Sequence, residues 1–207
     1  MTVGALVLSA GASSRFGGFP KALLAAGDDT GVRRIVGLCA EAECDPIVVV
    51  VGAHKGPVAH AVRDLPVTLV EAEDWWEGRT ASVQAGLRAL PDDRDILFWP
   101  VDHPFVDPRT VGLLRHVAAT DLLAVWFIPT YKGEGGHPVL WRPAVRGDLL
   151  ELRPDAPIRS LMPEFGPQVR RIEVEDPGVV ANVDTPEAYE AALDDWRERE
   201  GRPWTGN

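Results

Sequence analysis

Short apolar runs alternate with stretches of helical periodicity as far as about Tyr131. The runs 47–51 and 96–99 are continuously apolar, which is typical of strands buried on both faces of a parallel sheet. The pattern predicts strands at 4–8, 47–51, 67–70, 96–101 and 122–128. It predicts helices between them at 32–42, 57–63, 80–90 and 108–118. Repeated β–α units of this kind indicate an α/β fold with a doubly wound, mostly parallel, Rossmann-like sheet.

The alternation becomes less regular in segment 132–183, which is rich in Pro and Gly. Its short strand-like runs, at 139–141 and 169–174, favour a short antiparallel addition to the sheet that covers the site. Thr185-Pro186 is a typical helix start and opens an amphipathic helix over 187–199. No linker or repeat divides the chain, so we expect a single domain over 1–207, with 201–207 as a frayed tail.

The composition argues against two classes of partner. The 207 residues carry 21 Lys and Arg against 31 Asp and Glu, a formal net charge of −10. Such a chain is not expected to bind nucleic acid or an anionic membrane surface. No apolar run reaches the ~20 residues that span a bilayer, and no signal peptide is expected. Cys39 and Cys44 lack the pattern of a zinc site. We therefore expect a cytoplasmic protein with reduced thiols. An anionic ligand then needs local cations or a metal ion.

A loop of small residues over 9–21 follows the first predicted strand and carries Arg15 and Lys21. Small side chains let the backbone approach a ligand closely, and two cations suit a ligand rich in anionic oxygens, such as a nucleoside triphosphate. The loop is neither of two better-known phosphate loops. Lys21 lacks the glycine spacing and the hydroxyl neighbour of a P-loop, and position 13 is not the glycine that a dinucleotide fingerprint requires.

This loop resembles the N-terminal signature of the nucleotidyltransferases that are similar to the molybdenum-cofactor guanylyl- and cytidylyltransferases. The matching positions are Leu8, Ala10, Gly11, Ser13, Arg15, Gly17 and Lys21. A second segment, with Gly78 and Ser82 at a helix start, resembles a further motif of that family. The resemblance covers roughly 3–192. It implies that the nucleotide is bound by Leu8, Ser9, Ala10, Gly11, Arg15, Lys21, Gly78 and Ser82. The structural alternative is a glycine-rich turn with two surface cations.

Two acidic residues are candidate metal ligands. Asp102 follows the predicted strand 96–101, where it can offer one carboxylate to Mg²⁺, an ion that takes one or two carboxylates together with phosphate oxygens. Taken alone, an Asp after a strand is often a turn or cap residue. Its D-x-P pattern resembles the family's metal motif, which implies that Asp102 binds Mg²⁺, with Mn²⁺ as an alternative. Asp184 resembles a second acidic position, where it either binds the same metal or caps the last helix, and Asn182 replaces a family acid.

Two later segments resemble the family's motifs on the side of the acceptor substrate. Residues 133–139 resemble a G-x-x-G-H-P-V motif, and the segment that contains Asp155 and Arg159 resembles another motif, with Pro157 in place of a glycine. The resemblance implies that His137, Asp155 and Arg159 contact the acceptor. A purely structural role for His137 in a glycine turn is the alternative.

The resemblance implies Mg²⁺-dependent transfer of a nucleoside monophosphate to a phosphorylated small molecule, with molybdopterin as the favoured acceptor and pyrophosphate as the second product. Arg15, Lys21 and Asp102 are the expected catalytic residues. Ala10 favours CTP over GTP, because GTP-using relatives tend to have glycine there and a methyl group crowds a purine. Transient contact with a molybdoenzyme or its chaperone would then deliver the product.

Three alternatives stay open. The acceptor can be a sugar phosphate, methylerythritol phosphate or phospholactate, which enzymes of similar fold handle, since the fold does not select among them. Some proteins similar to this family are oxidoreductases of the nicotine blue type, which use NAD(P)H. A nucleotide-binding regulator without catalysis is a third possibility, although the presence together of Arg15, Lys21, Asp102 and Asp184 argues against it.

Overall fold

The structure is a computed structural model that describes residues 2–200. In this range the strands are β1 (Val3–Ser9), β2 (Ala25–Ala26), β3 (Asp29–Thr30), β4 (Ile47–Val51), β5 (Thr68–Glu71), β6 (Asp95–Pro100), β7 (Trp126–Tyr131), β8 (Glu134–Gly135), β9 (Val139–Trp141) and β10 (Val169–Glu173). The α-helices are α1 (Gly31–Glu41), α2 (Lys55–Ala61), α3 (Arg79–Ala89), α4 (Pro108–Thr120), α5 (Arg146–Glu151), α6 (Met162–Phe165) and α7 (Pro186–Glu200). The expectation of a frayed tail at 201–207 lies outside the described residues.

The main sheet has the order β10-β7-β9-β6-β1-β4-β5, with β8 paired to β7, and β2 and β3 form a separate antiparallel pair. β1 is central and runs parallel to both β4 and β6. Alternate side chains of β1 enter two cores: Ala5 and Val7 pack with α1 and α4, whereas Leu6 and Leu8 pack with α3 and α5. This doubly wound, mostly parallel α/β sheet confirms the predicted fold class.

The predicted elements at 4–8, 47–51, 67–70 and 96–101, and all five predicted helices, agree with the structure to within two residues. The predicted strand 122–128 is wrong in its first part, because β7 begins only at Trp126. The Asp121 carboxylate accepts hydrogen bonds from the backbone N–H groups of Leu123 and Ala124 and turns the chain there. Leu122 and Leu123 are consequently exposed rather than part of a buried strand.

The antiparallel addition is confirmed only for part of the predicted segment. β9 pairs antiparallel with both β6 and β7, so it lies inside the sheet rather than over the site. The run 169–174, by contrast, forms β10, which is parallel to β7 at the sheet edge. β9 runs in the direction opposite to β6 and β7, so it begins at the sheet edge where those two strands end. The start of β9 therefore lies at the edge that carries the site.

Local signals place two helix starts as predicted. The Asp107 carboxylate accepts a hydrogen bond from the N–H of Arg109, and Pro108 is the first residue of α4. At α7, Thr185 Oγ1 accepts from the N–H of Ala188. Within residues 2–200 no helix is both long and apolar enough to cross a membrane.

Gly86 of α3 is required by helix–sheet packing. A Cβ at this position would lie 2.6 Å from Val50 Cγ2 and 3.0 Å from Leu6 Cδ1, and both of these side chains are fully buried. Gly112 of α4, in contrast, is exposed and has nothing within 4 Å of such a Cβ. The two helical glycines therefore differ in what an added methyl group meets.

We expect Gly86→Ala to lower the free energy of unfolding by about 1–2 kcal/mol, because overpacking outweighs the gain in helix propensity. Gly112→Ala is the matched control and should raise it by about 0.5–1 kcal/mol. Urea unfolding followed by circular dichroism measures both. An unchanged or raised stability of Gly86→Ala would contradict the packing role.

Candidate functional site

All the sequence-predicted nucleotide residues except Arg15 line one cleft of about 280 Å³ at the carboxyl edge of the parallel strands. The opening loop follows β1, and Asp102 follows β6, which is the neighbour of β1 in the sheet. The structure thus brings together residues from three distant segments of the chain. The predicted residues that line the cleft are Leu8, Ser9, Ala10, Gly11, Lys21, Gly78, Ser82 and Asp102.

The opening loop folds back on itself at residues with a left-handed backbone. Ser13 has φ +50°, and Gly17 and Gly18 have φ +60° and +86°. The Ser13 hydroxyl oxygen accepts a hydrogen bond of 3.1 Å from the backbone N–H of Lys21. This bond closes the loop, and as a result Lys21 reaches the cleft.

A second loop, which follows β4, makes polar contacts with the backbone of the opening loop. The N–H of Ala53 donates to the carbonyl of Ala10 over 3.1 Å, and His54 Nε2 lies 2.9 Å from the carbonyl oxygen of Ala12. Gly52 allows this contact, because a Cβ there would lie only 2.5 Å from the Ala10 oxygen. Sequence reasoning missed His54, since a single His after a strand carries no signal of its own.

Asp102 is buried and ionised. His103 Nδ1 donates to its Oδ1 over 2.8 Å, and Arg79 Nη2 lies 3.4 Å from its Oδ2. Burial alone raises the pKa of Asp102, but the hydrogen bond and charge of His103 and the charges of Arg79 and Lys21 outweigh it and hold that pKa well below its ordinary value. The carboxylate therefore stays charged in a water-poor environment.

Asp184 lies beside it and binds the two cations of the opening loop. Lys21 Nζ is 2.6 Å from its Oδ1, and Arg15 Nη1 is 3.0 Å from its Oδ2. Burial and the charge of Asp102 raise the pKa of Asp184, whereas Lys21 and Arg15 lower it, and the net pKa lies below its ordinary value. Because Thr185 caps α7, Asp184 is available to the site, and the cap interpretation is not supported.

The Asp184 segment is attached directly to the strand end that carries Asp102. The N–H of Val183 donates to the backbone oxygen of Asp102 over 2.8 Å. Arg15 itself is largely exposed and contacts the site through Asp184. Asn182, which stands where the family has another acid, is exposed on this segment.

The two carboxylates fit a divalent cation that is completed by a substrate. Among residues 2–200 no three His, Cys, Asp or Glu side chains cluster in a way that could hold a metal ion. Mg²⁺, however, is commonly held by one or two carboxylates plus substrate phosphates and water. Asp102 and Asp184 are both ionised and offer hard oxygen ligands, so this incomplete set suits a metal that arrives with a triphosphate.

The three predicted acceptor residues, His137, Asp155 and Arg159, line a second cavity of about 610 Å³. Its wall is aromatic: Phe98 stacks on Trp141 at a centroid distance of 4.8 Å, and Trp126 meets Trp141 edge-on. Sequence analysis predicted strands over these positions but did not identify this wall. The alternation in β6, β7 and β9 puts them on one face, but only the β9 insertion makes them neighbours.

His137 reaches the site because it precedes β9, which starts at the carboxyl edge. Its ring lies 4.8 Å from that of His103 and 5.5 Å from that of Phe98, measured between centroids. Its Nδ1 is buried and has no hydrogen-bond partner within the described residues. Burial and the neighbouring His103 lower the pKa of His137 to about 3, so the imidazole is neutral.

Comparisons with known proteins show the family to which the chain belongs. Residues 5–172 match the MobA-like NTP transferase domain family. A molybdenum cofactor guanylyltransferase of Rhodopseudomonas palustris is 32% identical over 151 residues, 70% of this chain and 68% of the relative. A nicotine blue oxidoreductase of Paenarthrobacter nicotinovorans is 34% identical over 109 residues, about half of each chain at 53%. A solved nucleotidyl transferase from Methanothermobacter gives a TM-score of 0.81 at 25% identity, covering 96% of this chain and 99% of that one.

We expect the neutral His137 to make stability sensitive to acid. Since its folded-state pKa is depressed below 6.5, the unfolded chain takes up the proton first, and stability is lost as pH falls from about 6.5 towards 3. The stability advantage of the wild type over His137→Asn should therefore shrink as the pH decreases through this range, measured by urea unfolding at a series of pH values. The exposed His116→Asn is the control, and a pH-independent difference for His137→Asn would refute the interpretation.

Proposed function

Because the chain belongs to the MobA-like NTP transferase family, we propose that it transfers CMP from CTP to a phosphorylated acceptor, with a molybdopterin-type cofactor as the favoured acceptor. One observation carries the proposal: two cations and two ionised carboxylates meet at the ends of β1 and β6, beside a second cavity. Such a constellation suits a triphosphate, a divalent cation and an acceptor phosphate held side by side.

The reaction is an in-line displacement. An acceptor phosphate oxygen attacks the α-phosphorus of CTP, a new P–O–P linkage forms, and the bond from the α-phosphorus to the bridging oxygen of the β-phosphate breaks. Pyrophosphate leaves with that electron pair. The acceptor phosphate is already an anion, so the protein needs to position charges rather than supply a strong base.

The residues of the site divide this work between them. Lys21 and Arg15 offset negative charge on the triphosphate and on the departing pyrophosphate. Asp102 and Asp184 hold Mg²⁺, or Mn²⁺ in its place, which supplies further charge neutralisation when bound. His137, Asp155 and Arg159 contact the acceptor in the aromatic cavity.

The preference for cytosine rests on Ala10, which is buried and lines the nucleotide cleft. We expect its methyl group to leave less room for a purine than for a pyrimidine. One relative is a guanylyltransferase by name, so the choice of base is the point that an experiment must decide.

A thermal-shift panel with CTP, GTP, ATP, UTP and NADPH, each with and without Mg²⁺, tests the proposal. A ligand that binds the native state raises Tm by mass action. We expect the largest rise with CTP and Mg²⁺, and Ala10→Gly should shift the preference towards GTP. Ala12→Gly removes a methyl group from an exposed position of the same loop and should leave the preference unchanged. A response to NADPH alone would favour the nicotine-blue type of oxidoreductase instead.

Asp102→Asn tests the assignment of the metal ligand. We expect kcat for pyrophosphate release to fall at least about 100-fold, since one preorganised charge is lost from the site. Asp93→Asn makes the same change in charge at an exposed position near the other end of β6 and should retain activity. Circular dichroism checks that both variants fold. Near-normal turnover of Asp102→Asn would exclude it as the ligand.

A further inference from the structure

Arg79 is the cation that lies between the two cavities. It is the first residue of α3, and its side chain lines both the nucleotide cleft and the aromatic cavity. Its side chain is 56% exposed, whereas that of Asp102, which it contacts, is 6% exposed. Sequence analysis did not select it, because the motif around Gly78 and Ser82 leaves position 79 unspecified.

The backbone on either side of Arg79 is fixed. A Cβ at Gly78 would lie 2.4 Å from the carbonyl oxygen of Pro154, so only glycine permits this approach. Thr80 Oγ1 donates a hydrogen bond of 2.5 Å to the carbonyl of Ala156. The start of α3 is thus attached to the loop that carries Asp155, and Arg79 is anchored at the junction with only its side chain able to move.

The guanidinium is weakly held compared with the other cations of the site. In the part of the chain that the structure describes, its one hydrogen bond goes to Asp102 Oδ2 over 3.4 Å. Lys21 and Arg15 contact Asp184 at 2.6 and 3.0 Å. A guanidinium has five N–H donors, so most of the donors of Arg79 remain available to a ligand at the junction.

We propose that Arg79 is a catalytic residue whose guanidinium leaves its ion pair with Asp102 and binds substrate phosphate instead. This inference rests on the proposed function. With a divalent cation held by Asp102, the guanidinium of Arg79 would leave that carboxylate and would be drawn to the substrate phosphates. Arg79 then donates hydrogen bonds to a non-bridging oxygen of the α-phosphate and to the acceptor phosphate, which approach each other from the two cavities that it lines.

The charges on substrates and products show why a cation is needed between the two phosphates. A dianionic acceptor phosphate and a tetra-anionic CTP give a diphosphate-linked product with two negative charges and pyrophosphate with four. As the new P–O bond forms and the bond to pyrophosphate breaks, two anionic groups are brought within bonding distance of each other. The planar fork of an arginine can contact oxygens of both groups at once, which a lysine cannot do with the same geometry.

Arg79→Ala, Arg79→Lys and the control Arg88→Ala test this role. Arg88 lies on the same helix and is exposed. With CTP, Mg²⁺ and the molybdopterin-type acceptor, we expect kcat of Arg79→Ala to fall about 100-fold or more. Arg79→Lys should recover part of it, and Arg88→Ala should match the wild type. Affinity for Mg²⁺-bound α,β-methylene-CTP, which does not react, should change much less than kcat in Arg79→Ala, because the contact to the acceptor phosphate is absent from this complex, and it should not change in Arg88→Ala.

A titration with Mn²⁺ alone provides a readout that does not depend on activity. Because Arg79 competes with a metal for Asp102, nucleotide-free Arg79→Ala should bind Mn²⁺ several-fold more tightly than the wild type in calorimetry. Arg88→Ala should not differ from the wild type. Adding Asp102→Asn to Arg79→Ala should abolish the gain.

The outcomes separate the two proposals. If the wild type is active and Arg79→Ala keeps full kcat, the role of Arg79 is overturned and the proposed function stands. If the wild type releases no pyrophosphate from any nucleoside triphosphate, the proposed function fails, and the Mn²⁺ titration still decides whether Arg79 occupies Asp102. Equal Mn²⁺ affinity in Arg79→Ala and the wild type overturns that exchange.

Discussion

The site depends on holding two carboxylates, which repel each other, at one edge of the sheet in an ionised state. Asp102 is buried, and its charge raises the pKa of Asp184. Both pKa values nevertheless lie below their ordinary range, because cations and hydrogen-bond donors surround the pair. Asp184 is partly exposed, and Lys21, which the opening loop brings within 2.6 Å of it, lowers its pKa and stabilises its ionised form. The left-handed turn at Ser13 and the hydrogen bond from the N–H of Lys21 to the Ser13 hydroxyl oxygen close the loop that carries Lys21 to this position.

The topology explains why two cavities meet at Asp102. β6 is the boundary strand: on one side lie the parallel strands β1 and β4, next to the cleft proposed to bind nucleotide, and on the other side lie β9 and β7, which form the aromatic wall together with Phe98 of β6. Because β9 is antiparallel, its beginning meets the end of β6, and His137 packs against His103. Asp102, at the end of the boundary strand, is therefore reachable from both sides. The attachment of Gly78 and Thr80 to loop 154–156 places Arg79 at the same boundary.

Sequence patterns predicted the parts of this arrangement that are local. Apolar runs identified the buried strands, the loop after the first strand supplied Lys21, and the end of a second strand supplied Asp102. The missing parts depend on long-range pairing. No local pattern shows that 139–141 inserts between β6 and β7, so the aromatic wall of the second cavity was not predicted. Arg79 was missed for the same reason, because its importance comes from lying between two cavities rather than from its neighbours in the chain. The first part of the strand predicted at 122–128 was wrong because the Asp121 carboxylate accepts hydrogen bonds from the backbone N–H groups of Leu123 and Ala124 and turns the chain there.

Under the proposed function, the pairing of charges would also couple the binding of the nucleotide to that of the metal. The chain carries a net charge of −10, and the cations at the site are already paired with carboxylates: Lys21 and Arg15 with Asp184, and Arg79 with Asp102. A triphosphate that arrives alone must draw these cations away and leave two ionised carboxylates side by side. A metal that arrives alone meets carboxylates whose partners compete with it. When both arrive together, the cations turn to the phosphates and the metal takes their place at the carboxylates. Each ligand thereby strengthens the binding of the other, and the coupling free energy is reciprocal between the two.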